Sequence, residues 1–93
     1  MYSGGVLKRV SGLTYDKLLY YVRAGYVEPK KVKRESLYYN DFSEEDLELI
    51  KRAWTLISVH HLKAGAAFAR AKEHGKASQL SMDLVAPSND SAR

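Results

Sequence analysis

Residues 10–29 read Val10-Ser11-Gly12-Leu13-Thr14-Tyr15-Asp16-Lys17-Leu18-Leu19-Tyr20-Tyr21-Val22-Arg23-Ala24-Gly25-Tyr26-Val27-Glu28-Pro29, and this stretch decides how the rest of the chain is read. Ser11-Gly12 stops a short apolar and basic helix of one or two turns over residues 6–10, because glycine readily takes the left-handed conformation that closes a helix. Thr14 then offers a side-chain oxygen to cap a second helix. At about 100° per residue, Leu18, Leu19 and Val22 fall in a narrow arc around Tyr15, while Asp16, Lys17, Tyr20, Arg23 and Ala24 fall on the other side. One face belongs to the core and the other is presented. Gly25 ends this helix, and Pro29 bars its resumption.

Outward from Pro29, the run Lys30-Lys31-Val32-Lys33-Arg34 is too short and too charged to bury, and Ser36-Leu37-Tyr38-Tyr39 has the aromatic content of a strand. Together they predict a basic two-stranded wing. Ser43-Glu44-Glu45-Asp46 reads as a capping-box start, with acids where the helix dipole favours them. Leu47, Ile50, Trp54 and Ile57 then make an apolar stripe, widened by Leu49, Ala53 and Leu56. A further helix is predicted over residues 60–73, rich in alanine. It has Leu62, Ala66 and Ala69 on one side and Ala64, Ala67, Phe68 and Ala71 on the opposite one. Two small-residue faces imply two neighbours: the helix carrying Trp54 and a second copy of the chain. The expected dimer contact is Leu62, Ala64, Ala67, Phe68 and Ala71. Residues 1–75 are thus expected to form one domain, and residues 76–93, rich in Ser, Ala and Asp, a disordered tail.

With 93 residues, 45% of them hydrophobic and 28% charged, the chain has room for a single small core and none for the cleft of a large enzyme. There are no cysteines, which excludes a disulfide framework and thiolate metal sites and suits a reducing compartment. No leader-like segment opens the sequence, and no stretch approaches the roughly 18 apolar residues of a membrane span. A cytoplasmic, nucleoid-associated protein with no membrane partner is expected. The net charge of +4 conceals a strong pattern: 8 basic against 2 acidic residues over 1–34, none against 6 over 35–50, and 6 against 1 over 51–76. The basic blocks invite a polyanion.

The order of Gly12, Thr14, Leu18, Tyr21, Gly25, Pro29, Phe42 and Ser43-Glu44-Glu45-Asp46-Leu47 resembles the winged helix-turn-helix of the MerR family of transcription regulators, over about residues 6–70. The resemblance implies a mostly α fold with a short two-stranded β wing and C-terminal helices. It also implies a second helix in the major groove of double-stranded DNA, a wing on flanking phosphates, and a homodimer joined through its C-terminal helices. Carried onto this sequence, the DNA contacts are Thr14, Tyr15, Lys17, Tyr20, Tyr21 and Arg23 from the helix and Lys30, Lys31, Lys33 and Arg34 from the wing. This chain departs from the family where Leu19 and Asn40 replace arginines and Asp16 replaces a residue that is commonly basic. Asp16 either accepts from a cytosine amino group or, the preferred reading, complements the positive end of its helix.

The Gly25-Tyr26-Val27-Glu28-Pro29 turn, Asp41-Phe42 and Arg52-Ala53-Trp54 also resemble small MerR-like modulators of DnaJ-type co-chaperones, which use this fold to bind a protein partner and lack the DNA-contacting arginines. The positive run 30–34 favours DNA over that alternative. Adjacent His60 and His61 point about 100° apart on a helix and His74 is remote, so no metal site is expected. No phosphate loop and no nucleophile set is present, so neither a cofactor nor enzymatic activity is expected. Of the seven tyrosines, Tyr15, Tyr21 and Tyr26 are assigned to the core, leaving Tyr20 and Tyr38 or Tyr39 to stack on bases. The expected function is sequence-directed DNA binding by a small regulator or architectural factor with no effector domain.

Overall fold

The structure, a computed structural model, describes residues 1–83, with side-chain surroundings through residue 73. Its elements are α1 (Ser3–Arg9), α2 (Tyr15–Arg23), β1 (Lys30–Arg34), β2 (Leu37–Asp41), α3 (Glu44–Ser58) and α4 (Ala64–Asp83). Among the described residues four helices and one antiparallel hairpin make a winged helix-turn-helix, as the spacing of caps and glycines predicts. Gly12 and Gly25 have φ of +85° and +82°, the left-handed turns that close α1 and α2. A side chain at Gly12 would stand in ordinary contact with the Trp54 ring, 3.6 Å away, so the left-handed backbone is what requires glycine there. Thr14 Oγ1 accepts the Lys17 N–H at 3.3 Å. At α3 both halves of the capping box are made: Ser43 Oγ accepts the Asp46 N–H and Asp46 Oδ2 accepts the Ser43 N–H.

The core is built where α1, α2, α3 and α4 converge. Val6, Leu18, Phe42, Ile50 and Phe68 are its largest fully enclosed side chains, together with Val27. Among the described residues no charged group is buried there, so apolar burial carries the fold. The hairpin pairs Lys30 with Asp41, Val32 with Tyr39 and Arg34 with Leu37. Its two-residue turn, Glu35-Ser36, holds Glu35 at φ +56°, a conformation that costs a non-glycine residue about 1 kcal/mol. The base of the hairpin is tied to the chain start. The Met1 ammonium donates to Asp41 Oδ1 and to the Phe42 carbonyl, both at 2.7 Å, and the Phe42 N–H donates to the Met1 carbonyl.

Three expectations need correction. The last helix begins at Ala64 and not at residue 60, because His61 takes a left-handed φ of +58° and the Leu62 N–H donates back to the Leu56 carbonyl. His60 and His61 therefore lie in the turn between α3 and α4. The same helix passes through Gly75 to Asp83, since one glycine costs about 1 kcal/mol and does not by itself end a helix of good formers. Residues 76–83, expected to be disordered, are helical, and the remainder of the expected tail lies outside the described residues. Finally, Ala67, Phe68 and Ala71 are buried in the chain's own core, with Leu62 and Ala64 packed against its edge. The face of α4 expected to meet a second copy is instead occupied by α3 and by the aromatic rings of and after α2.

Candidate functional site

Helix α2 is anchored by Leu18 and Tyr21, which are 1% and 4% exposed. The helix is therefore rotated relative to the arc expected around Tyr15, with its buried side centred between positions 18 and 21. Tyr15 and Tyr21 were both expected in the core and at DNA; Tyr15 is 53% exposed and Tyr21 is enclosed. The reason lies in α4. Phe68 meets Tyr21 edge-on at 5.0 Å and stacks on Tyr26 at 5.3 Å, and this aromatic pocket draws position 21 inward. Tyr21 thus supports the presented face of α2 from behind.

That presented face carries Tyr15, Asp16, Lys17, Tyr20 and Arg23, all exposed. Tyr20 lies 6.1 Å from the Tyr26 ring, and its hydrogen bond to Tyr26 pushes the Tyr26 phenol above its ordinary value of 10.0. Burial does the same for Tyr21. Both phenols stay neutral through physiological pH and add no negative charge to that of Asp16 on this face. The Lys17 ammonium lies 5.1 Å from the centre of the Trp54 ring. It therefore sits at the edge of the face, over α3, rather than at its centre. Leu19, which replaces a family arginine, is half-buried and adds nothing polar.

The wing divides its charges. In a strand successive side chains point to opposite faces, so Lys31 and Lys33 share one face with Tyr38 and Asn40, while Lys30 and Arg34 share the other with Val32, Leu37 and Tyr39. The second face turns toward the chain start: Tyr2 lies 5.6 Å from the Tyr39 ring, and the Arg34 guanidinium covers Tyr2 at 5.4 Å. The first face is open, with Lys33 5.8 Å from the centre of Tyr38. Leu37, Tyr38 and Tyr39 are exposed. All four basic residues are exposed, yet they do not form one surface as the continuous run suggested. The roles of Met1 and Tyr2 in seating the wing carry no sequence signal, because their partners are about 40 positions away.

Among the described residues no three His, Asp or Glu side chains gather in a way that could hold a metal ion, and no described helix is long and apolar enough to cross a membrane. What the arrangement offers is a capped helix with a polar, aromatic and basic outer face, next to a cationic hairpin. Comparison with curated proteins and with solved structures returns no match. The family model described as MerR HTH family regulatory protein matches residues 2–56, from the first helix into the last turns of α3.

Proposed function

This chain belongs to the MerR helix-turn-helix family of DNA-binding regulatory proteins, and from that premise we propose that it grips duplex DNA with α2 in the major groove and the wing on flanking phosphates. The observation that carries this reading is the exposure of Tyr15, Lys17, Tyr20 and Arg23 on a helix held from behind by Leu18 and Tyr21. Thr14, at the helix start, stands where a phosphate oxygen meets free backbone N–H groups. Arg23 and Tyr20 reach base edges or sugars, and Lys31 and Lys33 engage phosphates from the open face of the wing. Lys30 and Arg34 add charge from the other face. With Leu19 and Asn40 in place of arginines, the hairpin supplies much of the electrostatic attraction. The protein acts in this reading as a small transcription regulator or architectural factor at cytoplasmic, nucleoid DNA.

The test is a fluorescence-anisotropy titration with random-sequence duplex at 50 and 200 mM salt. Four phosphate contacts per chain give a slope of about −3.6 in log K against log salt, or roughly a 10²-fold loss over that range. Changing Lys30, Lys31, Lys33 and Arg34 together to Ala removes most of that slope. A wild-type protein that ignores duplex DNA but retains a stoichiometric DnaJ-type protein in a pull-down would overturn the proposal in favour of the modulator reading.

A further inference from the structure

A cleft of about 340 Å³ opens between the end of α1 and the C-terminal half of α3, lined by Arg9, Ser11, Lys51, Trp54, Thr55 and Ser58 among others. It belongs to neither the presented face of α2 nor the wing. Its back wall is Trp54, whose indole N–H donates to the Ser11 carbonyl at 2.8 Å and so locks α3 against the turn that precedes α2. Lys17, from the first turn of α2, lies over the same ring. Arg9 and Lys51 thus line the cleft with Trp54, while Lys17 covers the same indole, and no carboxylate lines the cleft among the described residues.

The hydrogen-bonding state of the lining says what the cleft can hold. The Thr55 hydroxyl donates to the Lys51 carbonyl at 3.0 Å and the Ser58 hydroxyl to the Trp54 carbonyl at 2.7 Å. Neither hydroxyl has a proton left to offer. Arg9 spends a single N–H, on the Gly5 carbonyl at 3.1 Å, and a guanidinium carries five. Lys51 has only a loose pair with Glu48 at 3.8 Å, both side chains being about half exposed, a contact worth little in water. The free donors are thus cationic, which selects an anion over a neutral polar ligand.

We propose that this cleft binds a backbone phosphodiester of the same duplex, through Arg9 and Lys51, at a place separate from the wing. The inference rests on the DNA-binding reading above and extends it. A duplex seated on α2 passes the turn at residues 11–14, and Lys17 makes the cationic surface continuous from α2 to the cleft. The chain would then hold DNA at three places, with the Arg9 and Lys51 contact standing in for arginines missing at positions 19 and 40.

The experiment compares the wild type with the double variant Arg9→Gln/Lys51→Gln in the same salt titration, with thermal melting of both proteins as a control for folding. The variant is expected to melt within a few degrees of the wild type and to bind random duplex about tenfold more weakly. Its salt slope should be shallower by about one to two units, at 0.9 for each phosphate released. Glu48→Gln, which frees Lys51, is expected to steepen the slope and tighten binding about twofold. A wild type that binds DNA while both variants keep its slope and affinity would sink the cleft and leave the wider reading standing; a wild type that does not bind at all sinks that reading first. Inorganic phosphate, added at constant ionic strength, should not displace the duplex at millimolar concentration. Displacement abolished by the double variant would show that the cleft takes free phosphate instead, and would overturn the proposal.

Discussion

Helix α2 and the wing both offer charged side chains to the outside, but they are held in opposite ways. The helix presses two large side chains, Leu18 and Tyr21, into a core closed by Phe68, and that fixes the direction of everything on its outer face. The wing buries nothing of its own. Val32 is its one half-buried apolar residue of β1, and both faces of the hairpin otherwise meet solvent or the first two residues of the chain. A helix with one buried stripe gathers its polar residues onto one side, whereas the pleat of a strand distributes a continuous basic run over two sides. An identical number of cations is therefore worth more, for directional binding, on the helix than on the hairpin.

The sharpest way to break this comparison is to remove the anchor. Phe68→Ala should cost about 3–5 kcal/mol of stability in urea denaturation, as expected for truncating an enclosed aromatic ring, and should release Tyr21 and Tyr26. Tyr38→Ala, on the wing, should change stability by less than about 0.5 kcal/mol. Equal losses at the two positions would mean that α2 is not held from behind by α4. A smaller effect separates the two faces of the hairpin. Lys31→Ala/Lys33→Ala should weaken duplex binding about tenfold and flatten the salt slope by about 1.8. Lys30→Ala/Arg34→Ala, on the face turned toward Tyr2, should do no more than half of that. Interchangeable pairs would show that the pleat does not matter to binding. The smallest effect concerns the tip. Glu35→Gly relieves a left-handed residue and should raise the melting temperature, by the equivalent of about 1 kcal/mol or less, while also tightening DNA binding by removing a carboxylate beside Arg34.

Much of the fold was legible because its signals are short-ranged. Thr14 and Ser43 cap their helices within three residues, Gly12 and Gly25 sit at left-handed turns, and the aromatic run after residue 36 pairs with the basic run before it. The end of the last helix was misread for a related reason: composition without an apolar stripe suggested disorder after Gly75, while the backbone of α4 stays helical to Asp83. Candidate contacts were less legible than elements. Tyr15 and Tyr21 were each expected both in the core and at DNA, and the structure separates them, Tyr15 outside and Tyr21 inside; Ala67, Phe68 and Ala71 serve the chain's own core rather than a second copy. Arg9 and Lys51 drew no notice in the sequence, where 42 positions separate them; the bond from Trp54 to Ser11 places both beside one cleft.

From the order of its residues alone, this protein has the succession of helices and hairpin, the capped starts of α2 and α3, the excess of positive charge and the likeness to a DNA-binding family. Those properties follow from torsional preferences, caps and periodicities that act over a turn or two. Which side of α2 faces outward, which face of α4 is spent on the core, which face of the wing is turned toward Tyr2 and where a third cationic site forms were decided only in three dimensions. Each depends on a contact between segments about 40 or more residues apart in the chain, such as Trp54 with Ser11, Phe68 with Tyr21 and Met1 with Asp41, and no local rule carries information over that distance.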